Sequence, residues 1–187
     1  MQRIETDLPG VCLLQPTVHH DERGFFMESY RRDRLAELGI GHPFVQDNHA
    51  RSVRGVLRGL HYQLGRPQAK LVRVTRGRVF DVVVDVRRGS PAFGRWYGVV
   101  LEAEDPRMLY APVGCAHGYL VLSDVAEFQY KCSDYYAPLE ERGLAWDDPQ
   151  VAIEWPLAGL TPILSARDRA WSNLAAARPE DLPELAR

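Results

Sequence analysis

Glycine or proline interrupts this chain every few residues, 15 and 13 times respectively in 187. The apolar stretches between them are short and rich in Val, Tyr, Phe and Leu. They cover 25–30, 55–63, 70–75, 78–86, 96–101, 108–111, 118–122 and 127–132. Runs this short, bounded by turn residues, read as strands, and many in succession make a sandwich or a barrel. In the clearest, 78–86, Phe80, Val82, Val84 and Val86 fall on one face. Val79, Asp81, Val83 and Asp85 fall on the other. On pattern alone these two acids are expected at a solvent edge, with the lining of a polar barrel interior as the alternative. Helices are few. The segment 32–38 stops at Gly39. A helix of about ten residues is expected after Ser165, with Ser165 and Asp168 as its capping box. The tail PEDLPELAR, with two prolines and several charges, is expected to be loosely held.

The length suits one domain over 1–187, with a core at about 4–168 and a helix and tail after 165. With 45% hydrophobic and 26% charged residues and a formal net charge of -2, the profile is that of a soluble globular chain. Nothing in it favours a nucleic-acid or membrane partner. No apolar run approaches the roughly 20 residues that span a bilayer. The three cysteines, Cys12, Cys115 and Cys132, are odd in number and lack C-x-x-C spacing. No disulfide framework is expected, and the location is expected to be a reducing cytoplasm. The opening MQRIETDLPG lacks the basic-then-apolar pattern of a secretion signal.

Four clusters bear chemistry. Arg58 and His61 lie three apart, on opposite faces of an ideal strand, unless Gly59 forms a bulge that turns both inward. A surface Arg and a packed His are the simpler reading of that spacing. Lys70 begins a strand and by itself is an edge charge. The segment PVGCAHG at 112–118 is a turn that delivers His117 to the next strand. It resembles a cupin motif whose His often binds a metal, but the matching first segment, His61-Tyr62-Gln63, holds one His. No metal is expected. Tyr130, Tyr135 and Tyr136 are strand-forming aromatics that also offer a weak acid and flat stacking faces.

Taken in order, these segments resemble the dTDP-4-dehydrorhamnose 3,5-epimerase family over nearly the whole chain. The matching stretches are DERGFFME at 21–28, QDN at 46–48, RGLH at 58–61, KLV at 70–72, VFD at 79–81 and SPAFG at 90–94. PVGCAHG at 112–118, YKCSDYY at 130–136, WDDP at 146–149 and LSARD at 164–168 complete the series. The resemblance implies a mainly β, cupin-like antiparallel barrel (jelly roll) with a few short helices, working as a homodimer without cofactor or metal. It implies a dTDP-linked 4-keto-6-deoxyhexose as substrate.

It also implies roles for residues. His61 is the general base, Asp168 its orienting carboxylate, and Tyr130 the acid on the opposite face. Lys70, His117 and Arg58 lie around the sugar. Arg23, Phe26, Glu28, Gln46, Asn48, Glu141 and Tyr136 contact the nucleotide, with Tyr136 stacked on thymine. Members usually exchange N-terminal strands, so some of these residues serve the partner's site. Ala50 stands where the family often has Ser, and Arg167 where it often has Lys. A single-carbon epimerase and a non-catalytic nucleotide-sugar-binding cupin are the alternatives.

The chemistry explains the residue types. Protons at C3 and C5 are acidic because they flank the C4 ketone, and their removal puts negative charge on its oxygen. A fixed cation such as Lys70 stabilises that enolate. A histidine base suits neutral pH. Inversion needs a second proton donor on the far side of the ring, and a tyrosine is protonated at pH 7.

Overall fold

A computed structural model describes residues 1–185. Two antiparallel sheets face each other. One runs in the order β1 (Gln2–Glu5), β2 (Cys12–Gln15), β10 (Met108–Ala111), β7 (Lys70–Arg76), β12 (Val125–Cys132) and β5 (Gln46–Val53). The other runs β13 (Glu141–Gly143), β6 (Leu57–Gln63), β11 (Cys115–Val121), β8 (Arg78–Asp85) and β9 (Trp96–Glu102). A separate hairpin pairs β3 (Val18–Asp21) with β4 (Gly24–Met27). The helices are α1 (Arg32–Glu37) and α2 (Ala166–Arg169). The mainly β, cupin-like expectation is met.

Side-chain alternation divides the apolar residues into three layers. Leu13, Val72, Val74 and Phe128 of the six-stranded sheet meet Val79, Val83, Tyr119 and Val121 of the five-stranded sheet in the central core. Val82, Val84 and Leu60 look outward, and the C-terminal segment covers them with Leu144, Val151 and Leu174. Cys12, Leu14, Leu71 and Met108 look out from the other sheet and are covered by Leu35 of α1 and by Ile40. Both faces of β8 are therefore buried. Asp81 and Asp85 are 0% exposed, which overturns the solvent-edge expectation. Their partners explain it: Asp81 meets His117, and Asp85 binds the Arg87 guanidinium and the Ser90 hydroxyl at 2.6–2.9 Å. Charges that deep persist only when paired.

Two other expectations are corrected. Helix α2 has four residues rather than about ten, because the chain turns back to the sheet, where Ala145 N–H donates to Ser172 O at 3.0 Å. The tail is held as far as it is described. Arg88 bridges Glu184, and Asp181 accepts from Arg142 at 2.9 Å. Its last two residues, 186–187, lie outside the described residues. Among the described residues no helix is long and apolar enough to cross a membrane.

Candidate active site

The central core does not fill one end of the space between the sheets. A cavity of about 400 Å³ opens there. Strand β6 delivers Arg58 and His61 to it together, through a local break in register. His117 pairs with His61, but the next pairing is Tyr119 with Arg58, so β6 carries an extra residue. Gly59 makes this possible. Its φ is +126°, and a β-carbon there would meet Gly118 Cα at 2.6 Å. The bulge that the spacing left open at Gly59 is present, and the simpler reading of a surface Arg and a packed His is set aside.

His61 Nε2 lies 2.6 Å from Asp168 Oδ1. Asp168 sits on α2, and its own backbone N–H donates to the Ser165 hydroxyl at 3.0 Å. Half of the expected capping box forms, while the Asp168 carboxylate faces the imidazole. Burial pushes that carboxyl up, but the His61 hydrogen bond and charge, with Ser165 and Arg167, outweigh burial and hold it below its ordinary value.

Lys70 comes from the opposite sheet and crosses the space, its Nζ donating to the backbone O of His61 at 3.3 Å. It is not an edge charge. Burial draws its pKa down, against the pull of Cys132, Glu141 and Asp81. Tyr130, on β12, lines the same cavity from the six-stranded sheet, and burial raises its phenol to about 12. His117 Nε2 lies 2.9 Å from Asp81 Oδ1, and its ring stacks on Phe128 at 6.1 Å. Arg58 Nε donates to Ser52 Oγ at 3.1 Å. Among the described residues no three His, Cys, Asp or Glu side chains gather as metal ligands.

The mouth carries a polar cluster. Tyr136 N–H donates to Gln46 Oε1 at 2.8 Å, Gln46 Nε2 donates to Asn48 Oδ1 at 3.0 Å, and the Tyr136 hydroxyl donates to Glu141 at 2.9 Å. Arg167 donates to the Tyr136 hydroxyl at 3.1 Å and pairs with Glu141. Sequence reasoning treated Arg167 only as a departure from a pattern. Its position next to Asp168 was the signal that it shares the site.

Three expected residues are not brought to this cavity. Arg23, Phe26 and Glu28 belong to the β3–β4 hairpin or follow it, Phe26 is 71% exposed, and Arg23 pairs with Asp21. Phe26 and Glu28 border a different hollow, beside Arg31 and Arg34.

The sequence model of the dTDP-4-dehydrorhamnose 3,5-epimerase family matches residues 5–176. The chain belongs to this family. A family relative from Pseudomonas aeruginosa, a dTDP-4-dehydrorhamnose 3,5-epimerase, is 54% identical over 90% of this chain and 93% of its own. Among solved structures, dTDP-6-deoxy-D-glucose-3,5-epimerase from Legionella pneumophila Philadelphia 1, in complex with dTDP-4-keto-L-rhamnose, superposes with a TM-score of 0.96. It is 49% identical, covering 100% of this chain and 99% of that one. A 3'-monoepimerase from Streptomyces bikiniensis, in complex with dTDP-quinovose, gives 0.89 at 40% identity, covering 97% and 92%. The epimerase fold thus serves both double and single inversion.

Proposed function

We infer that this chain is an isomerase that epimerises dTDP-4-keto-6-deoxy-glucose at C3 and C5. The product is dTDP-4-keto-rhamnose, an intermediate for dTDP-rhamnose. One observation carries the reading: the two proton-transfer groups approach the cavity from opposite walls. His61 stands on the five-stranded sheet with Asp168 behind it, and Tyr130 on the six-stranded sheet.

His61 removes the proton at C3 or C5, and Asp168 stabilises the imidazolium that forms. The enolate charge develops in a shielded cavity where Lys70 supplies a cation. Tyr130 returns a proton from the other wall, so the centre inverts. A phenol held near 12 stays protonated throughout the neutral range. Arg58 and His117 hold the sugar. Gln46, Asn48, Tyr136 and Glu141 hold the nucleotide, with thymine stacked on Tyr136.

Arg23, Phe26 and Glu28 then act on a second copy. The exposed hairpin that carries Phe26 reaches the partner's cavity in a homodimer, and sedimentation at working concentration tests that assembly. Incubation with the keto sugar in D2O tests the reaction itself. Deuterium is expected at both C3 and C5. Uptake at one carbon selects the monoepimerase reading, which the fold of the Streptomyces bikiniensis enzyme keeps open. Uptake at neither sinks both.

A further inference from the structure

One aromatic side chain outside the cavity stands against the proposed base. Strands β6 and β13 pair His61 with Gly143. Side chains of directly paired residues stand on the same face of a sheet, and at Gly143 that place is free. The indole of Trp171 takes it. A β-carbon on Gly143 would lie 2.2–2.5 Å from three indole atoms. The indole centroid lies 6.2 Å from the His61 ring at 69°, an edge-to-face contact.

The approach to this contact is short and tied down. Helix α2 has Ala170 at its C-cap, Trp171 follows, and Ser172 O then accepts from Ala145 N–H at 3.0 Å. The indole N–H is buried with no partner among the described residues. Ring packing, not a hydrogen bond, sets where the indole lies.

We propose that Trp171 is a positioning residue for the epimerisation: seated on Gly143, it holds the His61 imidazole with Nε2 on Asp168 and Nδ1 toward the substrate. A single hydrogen bond fixes one ring nitrogen but leaves the ring free to tilt about that contact. A flat neighbour removes the tilt, and proton abstraction is sensitive to displacements of that size. Asp168 and Trp171 are three residues apart, so one turn of chain delivers both orienting groups. The proposal rests on the reading of His61 as the base.

Kinetics and proton NMR of the full chain test it. Trp171→Ala is expected to lower kcat by about tenfold or more with KM changed less than about twofold. It should also broaden the low-field imidazole N–H resonance that a 2.6 Å His61–Asp168 bond gives. Trp171→Phe retains a flat ring and should restore most of kcat and the resonance. Gly143→Ala evicts the indole from its seat and should reproduce the Trp171→Ala loss, the double variant adding little more.

If Trp171→Ala does not fold, Gly143→Ala and Trp171→Phe decide. A lower melting temperature with kcat and the resonance unchanged overturns the proposal, as does a phenylalanine that rescues neither. His61→Ala separates the two claims. Deuterium exchange surviving in His61→Ala fails the base assignment. An inactive His61→Ala beside fully active Trp171→Ala and Gly143→Ala fails the positioning role alone.

Discussion

The barrel holds two histidine–carboxylate pairs side by side, His61–Asp168 and His117–Asp81, and the two histidines are direct partners across β6 and β11. They are alike in chemistry and opposite in setting. Asp168 sits where His61, Ser165 and Arg167 overcome burial, and its carboxyl is held below its ordinary value. Asp81 sits inside the barrel, where burial dominates over His117 and Lys70 and its carboxyl is pushed up. Its Oδ2 has no partner among the described residues. The first pair favours a fixed negative charge, which is what an imidazole needs as it gains a proton. The second is a buried bond packed on Phe128, which holds the His117 ring in one orientation, as the sugar contact proposed for it requires. Surroundings, rather than residue type, divide the labour.

Replacing each histidine gives the sharpest contrast. His61→Ala should lower turnover by about 10³-fold, within the range of a lost general base, and leave dTDP binding intact by calorimetry. His117→Ala should cost on the order of tenfold, the scale of one hydrogen bond, mostly in KM. Equal losses in kcat would dissolve the distinction between the pairs.

Replacing the carboxylates sharpens it next. Asp168→Asn should lower kcat by roughly 10²-fold, because a carboxamide neither stabilises the imidazolium nor secures the tautomer. Asp81→Asn should stay within about tenfold. Their stability profiles against pH should run in opposite directions. Asp168, with a lowered folded pKa, contributes stability above the ordinary carboxylate value and loses it as pH falls through the folded one. Asp81, with a raised folded pKa, contributes more as pH falls and loses it as pH rises through the folded value. Urea titrations between about pH 3 and 7 read both, the ordinary carboxylate value of about 3.9 lying near the lower end. The deficit of Asp168→Asn should shrink on acidification, and that of Asp81→Asn should grow.

The same contrast marks what was legible in the sequence. Short apolar runs between turn residues, such as 70–75 and 108–111, stand out by composition and fall within β7 and β10. Strand β5 does not stand out. Its sequence QDNHARSV is polar on both faces, because Gln46 and Asn48 line the cavity where a core strand would carry Val or Leu. Asp81 and Asp85 were misplaced for a related reason. Period-two alternation tells one face from the other but not a polar interior from solvent. Arg58 and His61 share a wall only because Gly59 bulges, which spacing permitted but did not require. Trp171 carried no signal, since the role proposed for it depends on Gly143, distant in sequence and adjacent in space. The hairpin of Arg23 and Phe26 lies away from the cavity, and the role proposed for it depends on a second copy that no pattern within one chain encodes.

The smallest expected change is one of stability at Lys70, which bridges the two walls and lies near both pairs. Its folded pKa is drawn down by burial, so the charged ammonium is disfavoured in the folded chain. That penalty is fully present below the folded pKa and fades as pH rises toward the ordinary lysine value. Lys70→Met keeps the length of the side chain and removes the charge. It should stabilise the fold at pH 7 by on the order of 1 kcal/mol, as is common where a strained functional site is relaxed. Turnover should fall sharply in the same variant, because the enolate loses its cation. The stability gain should shrink as pH rises through the folded value toward the ordinary lysine value of about 10.4. Thermal melts across that range check the sign. A variant less stable than wild type at neutral pH would mean that the ammonium finds enough compensation from His61 O and the surrounding acids to repay its burial.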